Sequence, residues 1–309
     1  MAIIRKILLW GSRNHWLSVR LPKTWFMRRA VKPFMPGETI DAALKESQSL
    51  AKENIGTILT LLGENVAGEA EAKEVTDHYL NALNMISERA PNSVISVKPT
   101  QLGLDTSLDL AYKNIEILVK RAQELDTIIW VDMEGSEYLD ATLILYRRLL
   151  SLYGNIGLAM QAYLYRTEAD LEALLPLGPT IRLVKGAYAE PADIVWPDKS
   201  DVDANYLKLA RRMLDTDALA AGTRPAFATH DPRMVEEILK EINERQTAVT
   251  AYEFQMLYGI GREAQRRLVE GDNPTNVLIS YGDAWFPWYM RRLAERPANV
   301  WFVIRSVVS

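Results

Sequence analysis

Residues 156–187 read IGLAMQAYLYRTEADLEALLPLGPTIRLVKGA, and the fold turns on how this stretch is read. It opens on one short apolar run, IGLAMQAY (156–163), and closes on another, PTIRLVKGA (179–187). Between them, Thr167-Glu168-Ala169-Asp170 resembles a capping box before the helical LEALL. Strand, helix and strand make a βαβ unit. The same alternation recurs along the chain. Further β-like runs are IGTILTLLGE (55–64), SVISVKP (93–99), TIIWVDME (127–134), RPAFATH (224–230), AVTAYEFQML (248–257) and NVLISYG (276–282). Helix-like segments such as DLAYKNIEILVKRAQEL (109–125) and YLDATLILYRRLLSLY (138–153) lie between them, and Asp231-Pro232 pairs an N-cap residue with proline at the first helical position. Eight such units in about 230 residues predict a (βα)8 barrel, with a doubly wound open sheet as the alternative. A further helix over 38–53 is expected outside the barrel.

The bulk composition fits one large core: 309 residues, 48% hydrophobic and 25% charged. There is no cysteine, which excludes disulfides and thiolate metal sites and suits a reducing compartment. No apolar run approaches the roughly 20 residues of a membrane span. The net charge of −4 is unevenly spread. Residues 1–35 hold Arg5, Lys6, Arg13, Arg20, Lys23, Arg28, Arg29 and Lys32 without one acid, among Trp10, Trp16, Trp25, Phe26 and Phe34. A basic, aromatic arm suits an anionic surface, of membrane or nucleic acid, and has some likeness to a transit peptide. The plainer reading is a helical arm packed on its own acidic domain.

In a barrel of this kind the site lies at the C-terminal ends of the strands. There the sequence places Lys98, Asp132 with Met133, Gln161 with Tyr163, then Arg182, Lys185 and Gly186, Thr229 with His230, Glu253 with Gln255, and Tyr281. Singly, each has an ordinary explanation as a turn, cap or ion-pair residue. Together they outline one polar cavity. Arg182 and Lys185 stand out, because an unpaired cation at the end of a buried strand is costly. Alternation puts Arg182 and Val184 on one face and Leu183 and Lys185 on the other. Gly186 permits a close approach to the backbone. An anionic, phosphate-bearing cofactor fits these residues better than a metal, and His15, His78 and His230 show no zinc-type spacing. Gly259-x-Gly261-x-x-Ala264 matches a dinucleotide fingerprint, but in the seventh of eight units it reads as a βα turn. In YGDAWFPWYMRRLAERP (281–297), Arg291 and Arg292 suit a lid helix that clamps a carboxylate.

SVKPTQLG, VDMEGSE, QAYLYRT, RLVKGAY, FATHDPR, YEFQMLYG and YMRRLAERP, in that order, resemble the bacterial monofunctional proline dehydrogenases. The likeness runs from about residue 28 to the end of the chain. It implies a distorted (βα)8 TIM-type barrel preceded by N-terminal helices, with residues 1–53 as a basic helical arm and 54–309 as the flavin-binding barrel. It implies FAD as cofactor, L-proline oxidised to 1-pyrroline-5-carboxylate, and electrons passed to quinone. By motif, Lys98, Arg291 and Arg292 hold the substrate carboxylate, with Tyr188 and Glu295 beside it. Asp132 belongs to the catalytic network, and Arg182 stands at the flavin N5 position. Met133, Gln161, Val184, Lys185, Gly186, Ala187, Thr229 and His230 contact FAD. The expected setting is cytoplasmic, with peripheral contact at the inner membrane face and hand-off to a pyrroline-carboxylate (glutamate semialdehyde) dehydrogenase. Nucleic acid is not an expected partner. The chain departs from the pattern at Leu278 and Trp288, where tyrosine is common, which keeps hydroxyproline or another cyclic imino acid open as substrate. Two remoter readings are a Schiff-base lyase using Lys185 and a binding protein acting through its arm.

Overall fold

The apolar runs become eight parallel strands: β1 Gly56–Leu61, β2 Ser93–Val97, β3 Ile129–Val131, β4 Ile156–Gln161, β5 Thr180–Val184, β6 Arg224–Ala228, β7 Glu253–Leu257 and β8 Thr275–Tyr281. They close into a barrel in sequence order, with β8 paired to β1 from Gly56↔Asn276 to Leu61↔Tyr281. Closure rules out the open doubly wound sheet. The computed structural model describes residue 20 and residues 24–295, the side chains of 26, 28, 291, 292, 294 and 295 excepted. Residues 1–19 and 21–23 of the basic arm therefore lie outside the described residues.

Helices cover the barrel: α1 Trp25–Val31, α2 Ile40–Ala51, α3 Glu69–Arg89, α4 Leu108–Glu124, α5 Leu139–Leu150, α6 Thr167–Leu174, α7 Lys199–Met213, α8 Thr216–Ala220, α9 Pro232–Glu244, α10 Arg262–Glu270 and α11 Trp285–Glu295. Strand alternation sorts the side chains. Leu59, Ile95, Val131, Leu183, Phe227 and Val277 join the core shared with the helices. Ile58, Trp130 and Ala226 form a separate inner cluster with Val94, Ile128 and Leu278. Gly157 makes room there, since a Cβ would meet the Trp130 ring at 2.5 Å.

Caps start the helices where expected at Asp231, whose side chain accepts the Arg233 N–H at 3.2 Å. The proposed capping box at Thr167 does not form. The helix already includes Thr167, and its hydroxyl donates instead to the Gln161 carbonyl at 2.5 Å, tying α6 to the end of β4. The run at 248–257 is also shorter as a strand, because Val249–Ala251 form a 3-10 turn.

The helix after β8 is the main distortion. Trp285, Phe286, Tyr289, Met290 and Leu293 of α11 pack with Ala30, Val31, Phe34, Met35 and Leu62, not with the outer helical core. Leu62 and Ile260, which also touch this cluster, follow the C-terminal ends of β1 and β7. So α11 sits over the mouth. Tyr289 OH donates to the Ala30 carbonyl at 3.0 Å, and Trp285 Nε1 donates to Glu38 at 3.0 Å. The outer position this helix leaves beside β8 and β1 is taken by α2, whose Ser47 accepts from Thr57 on β1 at 2.9 Å.

Candidate active site

The centre of the barrel mouth is one carboxylate shared by two cations. Ser96, Lys98, Asp132 and Arg182 come from β2, β3 and β5, all on lumen-facing positions of their strands. Asp132 Oδ2 accepts from Lys98 Nζ at 3.1 Å. Its Oδ1 accepts from Arg182 Nη1 at 2.6 Å and from Ser96 Oγ at 2.7 Å. Arg182 Nη1 also donates to Ser96 Oγ at 3.0 Å, and Arg182 Nε donates to Gln255 Oε1 at 2.5 Å. The guanidinium lies over the Trp130 ring, 4.6 Å from its centroid. Arg182 is only 3% exposed.

Electrostatics follow from this sharing. Burial disfavours the Asp132 anion, but Lys98 and Arg182 outweigh it and hold its pKa below the usual carboxylate range. Burial likewise disfavours the Lys98 ammonium. Asp132, with Tyr188, Tyr79 and Glu64 behind it, raises the pKa above the usual lysine value. Burial pulls Arg182 downward against Asp132, yet a guanidinium stays charged. Two cations thus share the Asp132 carboxylate, with Glu253 acting on Arg182 and Glu64 on Lys98 from farther off.

Arg182 Nη2 and Gln161 Oε1 are among the buried atoms with no hydrogen-bond partner among the described residues. Burial of an unpaired polar group costs about 1–3 kcal/mol, which a ligand that pairs with it would offset. One is a donor group on a cation and the other an amide acceptor. A planar, heteroatom-rich ring that carries negative charge when reduced fits that pair. Gln161 Nε2 meanwhile donates to the Met133 and Glu134 carbonyls at 3.3 and 3.2 Å, which fixes the amide.

The other expected cofactor residues surround this centre. Lys185 points away from the lumen, as alternation requires. Its Nζ reaches Asp203 at 2.5 Å and Asp231 at 3.3 Å, and Lys199 shares both carboxylates. Beside this cluster, α7 and α9 bound a cleft of about 520 Å³ lined by Lys199, Asp203, Arg233 and Glu237 among others. Lys185 is thus held between two carboxylates. His230 Nε2 accepts the Leu257 N–H at 2.8 Å, so its proton sits on Nδ1. Thr229 Oγ1 accepts the Asp231 N–H at 3.2 Å. The Val184 and Lys185 carbonyls receive the Ala162 and Tyr163 N–H groups, at 2.8 and 2.9 Å. Ala187 and Tyr188 follow half-buried.

Gly186 has a reason the sequence did not disclose. Its φ is +114°, and a Cβ would lie 2.2 Å from the Tyr163 ring. The glycine is needed for the tyrosine as well as for any ligand. Gly259 similarly accepts the Pro33 carbonyl, which a Cβ would meet at 1.8 Å. Gly259 of YGIGREAQRR therefore docks the N-terminal segment and Gly261 caps α10, as a βα turn and not as a pyrophosphate loop. The side chains of Arg291, Arg292 and Glu295 lie outside the described residues. Their helix is α11, over the mouth. Leu278 belongs to the inner apolar cluster and Trp288 packs against the α1–α11 cluster.

Ser96, Trp130 and Glu134 belong to the same site and do not stand out in the sequence. Glu134 is buried, takes the Thr100 N–H at 3.0 Å and the Thr100 hydroxyl at 2.6 Å, and its pKa is pushed up by burial to about 7.

The sequence profile of the proline dehydrogenase family matches residues 43–305. Proline dehydrogenase 1 of Bacillus subtilis is 34% identical over 306 residues, 99% of each chain. Proline dehydrogenase of Deinococcus radiodurans is 34% identical over 280 residues, 89% of each. The bifunctional protein PutA of Escherichia coli is 27% identical across 90% of this chain, which spans 24% of that protein. Among solved structures, proline utilization A of Bdellovibrio bacteriovorus superposes with a TM-score of 0.81 at 24% identity, covering 95% of this chain and 36% of the other. That of Bradyrhizobium japonicum gives 0.72 at 26% identity, covering 89% and 32%.

Proposed function

The chain belongs to the proline dehydrogenase family and oxidises proline, the first step of proline catabolism; from that premise we propose that FAD is its cofactor, L-proline its preferred substrate and a quinone its electron acceptor. The observation that carries the cofactor assignment is the unpartnered Arg182 Nη2, buried beside a carboxylate already shared with Lys98.

Arg182 and Gln161 hold the flavin ring, with Met133, Val184, Thr229 and His230 around it. Gly186 and Ala187 lead to Lys185, which with Lys199 and Arg233 meets the phosphates. Bound there, FAD supplies the hydride acceptor. The protein binds, orients and excludes water. Lys98, Arg291 and Arg292 take the substrate carboxylate through charge-assisted bonds, with Tyr188 and Glu295 flanking the ring. Asp132 keeps Lys98 charged and Arg182 in place. A hydride leaves the ring carbon next to nitrogen only when that nitrogen is neutral, so proline reacts as the free amine. No side chain forms a covalent bond.

The product is passed, in this reading, to a pyrroline-carboxylate dehydrogenase. A relative named bifunctional, in a chain of which this one spans 24%, supports that link. Residues 1–53 form the basic arm and 54–309 the barrel. The arm brings the enzyme to an anionic membrane surface, where quinone resides. Among the described residues no helix is long and apolar enough to cross a membrane.

The test is turnover of L-proline by the purified protein with FAD and a soluble quinone. We expect 1-pyrroline-5-carboxylate as product, a higher kcat/KM for L-proline than for trans-4-hydroxy-L-proline, and a raised KM for proline in Arg291→Ala and Arg292→Ala. A preference for hydroxyproline overturns the substrate assignment. An unchanged KM in both arginine variants overturns the carboxylate clamp.

A further inference from the structure

Arg182 is held on three sides, and one of its partners is itself ambiguous. A glutamine amide has an acceptor end and a donor end of nearly equal shape, and rotation by 180° exchanges them. Arg182 offers only donors, so its Nε–H needs the oxygen of Gln255. A reversed amide would set NH2 against N–H. Gln255 is only 3% exposed. What fixes the amide is Glu253. Gln255 Nε2 donates to Glu253 Oε1, two residues earlier on β7 and on the same strand face. The Glu253 Oε1 that meets it is an acceptor, so it takes the nitrogen end and leaves Gln255 Oε1 for Arg182.

Resting on the FAD reading above, we propose that Glu253 is a positioning residue: by setting the orientation of Gln255 it holds the Arg182 guanidinium with Nη2 turned to the flavin. Glu253 touches neither substrate nor cofactor. It closes a line that runs Glu253–Gln255–Arg182–Asp132–Lys98, from the lower part of the barrel to the substrate site. Burial pushes the Glu253 pKa up, while Gln255, Arg182, Arg224 and Asn276 all favour the charged form. Gly56 exists partly for this neighbourhood, since a Cβ there would lie 2.0 Å from Asn276 Oδ1. An ordinary filling residue at position 253 would not need to be an acceptor. An amide lock does.

The experiment compares Glu253→Gln with the wild-type holoenzyme. The variant keeps volume and hydrogen bonding but offers both a donor and an acceptor, so the orientation of Gln255 is imposed from the Arg182 side alone. We expect the flavin midpoint potential to fall by about 30 mV, a tenfold loss in stabilisation of the reduced form for a two-electron couple. We also expect kcat to drop about tenfold with KM for proline and the Kd of the apoprotein for FAD within twofold. Should Glu253→Gln not fold, Gln255→Met removes the acceptor itself and must lower the potential as much. An unchanged potential in the folded variant overturns the inference. So does a loss of FAD affinity and melting temperature with no change in potential, the mark of a purely structural role. A wild-type protein that takes up no flavin overturns the FAD reading and this inference together.

Discussion

At the scale of single residues, the site is a problem of charge shared among too few partners. Asp132 is shared by two cations, Lys98 and Arg182, with Glu253 acting on Arg182 from deeper in the barrel. Replacing Arg182 with Lys keeps the charge but removes the fork that spans Gln255, Ser96 and Asp132. We expect kcat to fall about 100-fold in Arg182→Lys, the usual cost of losing a preorganised donor. Activity within threefold of wild type would contradict that role. Glu134 yields a prediction in pH. Its folded pKa of about 7 lies above the unfolded value of 4.5, so the folded protein holds a proton the unfolded chain has lost. Stability from this group is complete below about pH 4.5 and fades as pH rises through 7, by up to about 3 kcal/mol. Glu134→Gln copies the protonated form. Melting temperatures of the two proteins should diverge between pH 5 and 8, with the variant losing less; parallel curves would refute this. Lys98, Asp132 and Arg182 were visible in the sequence because a charge ending an apolar run demands a reason. Ser96 and Glu134 were not, since a serine inside a strand and a glutamate after Met133 look ordinary until their partners across the barrel are known.

At the scale of elements, the alternation of strands and helices was legible because parallel strands need covered crossovers and leave a repeating pattern. Less legible were the points where an element serves a neighbour. Thr167 reads as a capping residue yet bonds back to β4, and Gly186 reads as a ligand contact yet accommodates Tyr163. The placement of α11 over the mouth was suggested only by its paired arginines. Its packing depends on Phe34 and Met35, far away in sequence. The turn at Gly259 (φ +76°) links these parts, because the Pro33 carbonyl rests against it. Gly259→Ala should push the segment before α2 off the barrel and cost about 1–3 kcal/mol in overpacking and left-handed strain. Limited proteolysis near residues 30–38 should accelerate with it. Unchanged proteolysis and melting would show that the docking is not tight.

At the scale of the whole molecule, one face of the barrel carries the chemistry and one end of the chain carries the basic charge. The two meet at the α1–α11 cluster, where Ala30, Val31, Phe34 and Met35 complete the packing of the lid. A truncation meant to test the membrane role should therefore stop before Trp25. Deleting residues 1–19 should leave turnover with a soluble quinone near wild type and lower it on anionic vesicles containing a lipid quinone. Equal activity on vesicles would remove the arm from the account. The claim on which everything rests is that Arg182 and Lys98 stand between a flavin and L-proline. The most direct measurement is the visible absorption spectrum of the purified protein, before and after L-proline is added without oxygen. A flavin band that bleaches on addition of proline is the expected result. A colourless protein that FAD cannot reconstitute, or a yellow one that proline leaves unbleached, would contradict it.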